Sequence, residues 1–297
     1  MITEKDLKKV IEQVLLELNQ ATKPNKGIDE NKVSAFSGSK ILEDEMLHDI
    51  TAVDLKQQVL VPNPENLTAL LKMKATTPAR IGVWRAGPRY MTETLLRFRA
   101  DHAVAMDAVF THVSEEFLKE MNLFSIKTKC VSKDQYLTRP DLGRKFDEEE
   151  LDVIRKQCIK KPQVQVYISD GLSSTAIEAN IRDILPAIMQ GLEGYKVKVG
   201  TPFFVKYGRV PAMDVISETL EADVTCVLIG ERPGLATGES MSAYMAYGAR
   251  VNMPEARRTV VSNIHKGGTP AVEAGAHIAH ILNMMLEKKA SGLELKL

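Results

Sequence analysis

The sequence predicts an α/β protein. It consists of a Rossmann-like, doubly wound, mainly parallel sheet, preceded by a smaller N-terminal helical subdomain and an amphipathic helix on a linker. Three observations predict it. After residue 120, apolar runs alternate with helical periodicities. The runs VQVYIS and VTCVLIG are continuously apolar or nearly so, as strands covered on both faces are. Turns rich in Gly, Ser, Asp and Pro separate strand from helix. The boundaries read 1–20 for the amphipathic helix, 21–40 for the linker, 41–115 for the helical subdomain and 116–297 for the sheet domain.

Composition narrows the function classes. A chain of 297 residues that is 44% hydrophobic can bury a substantial core. Its 39 basic residues balance 39 acidic ones, which gives no electrostatic ground for nucleic acid. No apolar run approaches the ~18–20 residues that span a bilayer, and no signal-peptide core opens the chain. Cys130, Cys158 and Cys226 are far apart and form no CxxC. They read as reduced packing residues of a cytoplasmic protein, with Cys130 and Cys226 in strand-like runs.

The elements follow in order. In MITEKDLKKVIEQVLLELNQ, Leu7, Val10, Ile11, Val14, Leu15 and Leu18 recur at helical spacing, with Thr3 as N-cap. ATKPNKGIDENKVSAFSGSK has linker composition, so the helix before it has nothing of its own to pack against. That pattern fits either a helix folded back onto the core or a docking peptide for another protein. NPENLTALLKMKATT reads as a capped helix, RIGVW (80–84) as a short strand, and MTETLLRFRADHAVAMDAVF as a helix. Strands are then expected at FSIKTKCV, VQVYIS, KVKVGTPFFVKYGRV, VTCVLIG and RTVVSNI. Helices are expected through EEELDVIRKQC, TAIEANIRDILPAIMQGL, MDVISETLEA, MSAYMAY and AVEAGAHIAHILNMMLEKKA, the second capped by Ser173 or Ser174.

Ligands of such sheets bind at the carboxyl ends of the strands. That selects DGLSS, the FFVKYGRV segment, GERPG and SNIHKGG. Glu231 in LIGERPG could hold a proton, a metal, a cofactor or a helix N-terminus. GERPGLATG spaces its glycines by four, which is not GxGxxG, and no GxxxxGK[ST], HExxH or GxSxG occurs. NIHKGG has Asn263 where the cobalt-ligating Asp-x-His-x-x-Gly motif has Asp, and none of the six histidines has Asp two positions before it. Arg85, Arg89, Arg139, Arg144, Arg209 and Arg232 cluster near turns, as anion or partner contacts do. No nucleophile, base and orienter can be assembled from these loops. The pattern suits a ligand-binding subunit whose partner performs the chemistry. The alternative is a stand-alone α/β enzyme acting on a nucleotide or sugar phosphate with Asp170 as base, which would need a phosphate loop.

The blocks WRAGPR, LLRF-x-ADH, YLTRPDLGR, ISDGLSS, KVGTPFFV-x-YGRV, GERPGL, SNIH-x-GGTP-x-VEA and LEKKASG, in that order from about residue 80, resemble the small subunits of ethanolamine ammonia-lyase. The resemblance implies a hetero-oligomer with a large barrel subunit and adenosylcobalamin, its benzimidazole retained on cobalt, at their interface. Radical conversion of ethanolamine to acetaldehyde and ammonia then belongs to the large subunit. The small one provides neither catalytic residues nor a metal ligand. The family's cobalamin contacts carry over to Val210, Glu231 and Val260, all on the selected strand-end loops. The N-terminal helix and linker then resemble a signal for packing into a bacterial microcompartment within the cytoplasm.

Overall fold

The computed structural model describes residues 49–296, so the predicted helix at 1–20 and linker at 21–40 lie outside the described residues. Helices come first. In α1 (Leu67–Ala75) the Asn66 side chain accepts the Ala69 N–H at 2.9 Å, a side-chain cap. A small hairpin, β1 (Arg85–Ala86) and β2 (Arg89–Tyr90), turns at Gly87, whose φ is +62°. Helix α2 (Thr92–Phe110) follows. Arg97 ties it to the segment before it, pairing with Asp101 and donating to the carbonyls of Ile50, Thr51 and Val53 at 2.6–2.9 Å. The strand expected over 80–84 does not form. No neighbouring strand offers it a ladder, and a strand without one leaves its backbone groups unpaired.

The sheet region begins after α3 (Glu115–Glu120). It continues through β3 (Phe124–Lys127), α4 (Lys133–Thr138), α5 (Glu148–Gln157), β4 (Val164–Ser169), α6 (Ser174–Gly194), β5 (Phe203–Lys206) and α7 (Ala212–Leu220). It ends with β6 (Val224–Gly230), β7 (Met241–Tyr247), β8 (Thr259–Ile264) and α8 (Ala271–Lys288). The strand order is β3-β5-β4-β6-β7-β8. The first four run parallel, and β7 runs antiparallel to both β6 and β8. Every residue of β4 and β6 is buried, the polar Gln165 and Ser169 of β4 included, as in strands covered on both faces.

Helices cover both faces. Ile177, Ile181, Ile184, Ile188 and Leu192 form the inward stripe of α6, and with α3 and α8 they cover one face. Each such side chain contributes ~1.5–3 kcal/mol by burial. Gly275 of α8 permits the close crossing of α6, because a Cβ there would lie 2.7 Å from the Ala187 Cβ. Helices α5 and α7 cover the opposite face through Ile154, Met213, Ile216 and Leu220.

The segment MSAYMAY, expected as a helix, is strand β7. Its Ala and Met residues favour helix, but its side chains enter the two cores alternately. Met241, Ala243 and Met245 enter the core against α6 and α8, while Tyr244 and Ala246 enter the opposite one. Seven paired positions along β6 override the local propensity. Cys226 lies in β6 as expected, whereas Cys130 lies beyond the end of β3. All three cysteines are free and buried.

Candidate functional site

Strand β6 ends against the turn that follows β4. Gly171 takes φ +54°, and the Leu172 N–H donates to the Gly230 carbonyl at 3.1 Å. A Cβ on Gly230 would lie 2.1 Å from the Ser173 carbonyl oxygen, so only glycine lets the two strand ends meet. Ser173 is the N-cap of α6, accepting the Ala176 N–H at 3.1 Å.

Glu231 follows directly. Its N–H donates to the Ser240 carbonyl at 3.0 Å and closes the 231–240 loop between β6 and β7. Its side chain turns back over the sheet. The Ser240 hydroxyl donates to Oε2 at 2.7 Å, the Ser242 hydroxyl to Oε1, and the Asn263 N–H to Oε1 at 2.9 Å. Three donors fix the half-buried carboxylate, yet Oε2 accepts from only one of them, which leaves it capacity to accept another hydrogen.

Around Glu231 the edge of the sheet presents a mixed surface. Ser242 and Tyr244 alternate on β7, and across from them on β8 stand Ser262 and Val260. The two serine hydroxyls lie 3.0 Å apart, and Tyr244 pairs with Val260. Val260 is 41% exposed. Burial, and then the negative charges of Glu231 and Glu255, push the Tyr244 phenol above its ordinary range. It therefore stays protonated at neutral pH and can donate a hydrogen bond.

Val210 sits between β5 and α7, half-buried on the core of the same face. Its carbonyl accepts the Met213 N–H at 3.1 Å. Helix α7 is fastened to β8 by a buried pair. The Arg258 guanidinium donates to both oxygens of Asp214 at 2.9 and 2.8 Å, with side chains 1% and 5% exposed. Asp214 lies in the first turn after Val210, and Arg258 directly precedes β8.

The structure thus places Val210, Glu231 and Val260 on the sheet face covered by α5 and α7. Their levels differ from the sequence expectation. Val260 is inside β8 on the sheet edge, level with Val227 through Tyr244, whereas Ile264 is level with Gly230. It is therefore ~10 Å short of the strand ends at ~3.3 Å per residue. His265 closes its own turn. Its Nδ1 accepts the Gly267 N–H at 3.1 Å and its Nε2 bonds Asn263 Oδ1 at 2.9 Å, so both ring nitrogens are engaged.

Asp170 is 1% exposed and cannot serve as a base for a bound substrate without the chain opening. Of the turn arginines, Arg139 pairs with Asp141, Arg85 lies over Tyr90 and Arg209 over Tyr136. Sequence reasoning missed Ser240, Ser242, Tyr244 and the pair of Asp214 and Arg258. The alternation of Ser240, Ser242 and Tyr244 carried the signal, and reading β7 as a helix hid it.

The sequence profile described as ethanolamine ammonia-lyase light chain (EutC) matches residues 68–296, which include all of these site elements. The chain belongs to the ethanolamine ammonia-lyase light-chain family. It is 63% identical to the ethanolamine ammonia-lyase small subunit of Clostridium tetani over the whole of both chains. It is 56% identical to the small subunit of Listeria monocytogenes, over 99% of this chain and 100% of the other. The small subunit of Fusobacterium nucleatum is 55% identical over the full length of both. The family's enzyme is a carbon–nitrogen lyase. Among the described residues, no helix is long and apolar enough to cross a membrane.

Proposed function

We propose that this chain is the small subunit of an adenosylcobalamin-dependent ethanolamine ammonia-lyase, and that Val210, Glu231 and Val260 belong to its cobalamin surface at the interface with a large barrel subunit. Glu231 carries the reading. It is a carboxylate with spare acceptor capacity, held rigid by Ser240, Ser242 and the Asn263 N–H. The rim of a corrin bears amide side chains whose N–H groups suit such an acceptor. The neighbouring Tyr244 and Val260 offer apolar surface for the ring edge.

The residues fit the cofactor in a second respect. His265 is engaged in its own turn, as suits a cobalamin that keeps its benzimidazole on cobalt. When bound, the cofactor supplies radical chemistry for converting ethanolamine to acetaldehyde and ammonia in the large subunit. This chain's contribution is a Rossmann-like platform that binds and orients. Residues 1–20 address the complex to a microcompartment shell within the cytoplasm in this reading. Deleting them should leave turnover unchanged and release the enzyme from the shell, and continued partition of the truncated enzyme into shells would refute that assignment.

The main test uses the chain co-purified with its large subunit. Adenosylcobalamin should give a corrin absorption spectrum and ethanolamine-dependent aldehyde in the complex, and neither activity nor tight binding in the isolated chain. Glu231→Ala should weaken cofactor affinity by the ~1–3 kcal/mol of a charge-assisted hydrogen bond while leaving turnover at saturating cofactor nearly intact. Unchanged affinity would exclude Glu231 from the cofactor surface.

A further inference from the structure

The carboxyl ends of β4 and β5 form the switch point of the sheet, because β4 leads to α6 on one face and β5 to α7 on the other. Ligands commonly occupy such crevices, but here the chain itself fills it. Lys133, at the start of α4, reaches in until its ammonium lies 3.8 Å from Asp170 Oδ2 and donates to the Gly171 carbonyl at 3.2 Å. The rings of Tyr136 and Tyr207 flank it at 5.1 and 5.9 Å. The Lys133 and Asp170 side chains are 6% and 2% exposed.

The other oxygen of Asp170 has a different task. Oδ1 accepts the Tyr207 N–H at 2.8 Å. Tyr207 takes φ +60°, a left-handed conformation rare for an aromatic residue. The next carbonyl, of Gly208, accepts from the hydroxyls of Ser169 at 3.3 Å and Tyr136 at 3.4 Å. Arg209 donates its N–H to the Gly143 carbonyl at 2.8 Å and its Nη2 to the Tyr136 carbonyl at 2.6 Å. Val210 is the next residue. A buried ion pair is a poor source of stability but can fix one geometry against others.

We propose that Asp170 is a positioning residue: anchored by Lys133, its carboxylate holds the 207–209 turn and so sets Val210 against the cofactor surface. The proposal rests on the reading of Val210 as part of that surface. It gives a role to a buried carboxylate at the position where many α/β proteins bind ligand, and it explains why the crevice is closed.

The test titrates the complex of both subunits with adenosylcobalamin by visible absorbance. Asp170→Ala should raise Kd ~10-fold, a loss in the range of one hydrogen bond to a charged group, with kcat at saturating cofactor unchanged. Asp170→Asn retains an acceptor for the Tyr207 N–H and should restore near-normal affinity. Gly208→Ala makes the same test without touching the buried charges, since a Cβ there would lie 2.6 Å from Ser169 Oγ and displace the turn. It too should weaken binding. Wild-type Kd in Gly208→Ala, or Asp170→Asn as weak as Asp170→Ala, would overturn the proposal. Amide exchange of the 205–212 peptide without cofactor separates the two readings. Faster exchange in Asp170→Ala, restored in Asp170→Asn, supports the positioning role even if Glu231→Ala binds normally and the cofactor reading falls. Unchanged exchange in Asp170→Ala overturns the positioning role by itself.

Discussion

Asp170 and Glu231 each stand one step beyond a parallel strand, at the same end of two adjacent strands, β4 and β6. In sequence both are carboxylates beside a glycine, and their surroundings make them opposites. Asp170 lies beneath Lys133, Tyr136 and Tyr207, with both oxygens engaged. Glu231 is half-buried at the end of β6, fixed by Ser240, Ser242 and the Asn263 N–H, with one oxygen still able to accept. A carboxylate at a strand end therefore does not define a ligand site. What covers it decides whether it holds the protein or something else.

The largest predicted effect tests that contrast through stability. Asp170→Ala strands a buried ammonium and a buried N–H and should cost ~3–5 kcal/mol in denaturant unfolding. Glu231→Ala strands no buried charge, and the Ser242 hydroxyl keeps Ser262 as a partner while the Asn263 N–H lies on an exposed residue, so it should cost less, ~1 kcal/mol. Equal costs would erase the distinction.

The second effect is its pH dependence. Burial pushes the Asp170 carboxyl up to about 6 from an ordinary 3.8, against the pull of Lys133 and of the Tyr207 and Gly171 N–H groups. A folded carboxyl that binds its proton more tightly than the unfolded chain stabilises fully below the ordinary value. That contribution is lost as pH rises to about 6. Unfolding should therefore show wild type losing up to ~3 kcal/mol relative to Asp170→Asn between about pH 4 and 6, with no further divergence above. A flat difference would mean Asp170 does not titrate there.

Smaller effects probe the open site. Ser242→Ala removes one of the donors that aim Glu231 and should weaken cofactor binding by ~1 kcal/mol, read by the same absorbance titration. Val260→Ala should change it least, by about twofold, because it removes only two methyl groups from a side chain that is already partly covered in the free chain. If Val260→Ala exceeds Ser242→Ala, the surface is gripped by its apolar edge rather than by its carboxylate.

Much of this was legible in the amino acids. The continuous runs of β4 and β6 announced strands covered on both faces. The periodicities of α6 and α8 announced their inward stripes, and DGLSS announced a serine cap for α6, with the choice between Ser173 and Ser174 left to the structure. β7 was not legible, because Ala and Met favour helix and only pairing with β6 shows which period applies. The 80–84 strand failed for the converse reason, since a strand-like sequence needs a neighbour. Tyr244 was hidden with β7, and the pair of Asp214 and Arg258 by their separation along the chain.

The sequence by itself determined the family, the α/β class and Glu231 as the residue to watch, because local patterns and ordered motifs are properties of the chain alone. Only the tertiary structure decided that Asp170 is closed off and Glu231 open, that Val260 stands inside an edge strand, and that Val210 is held by residues far from it in sequence. Coverage and register are set by what folds against a residue, and no local stretch records that.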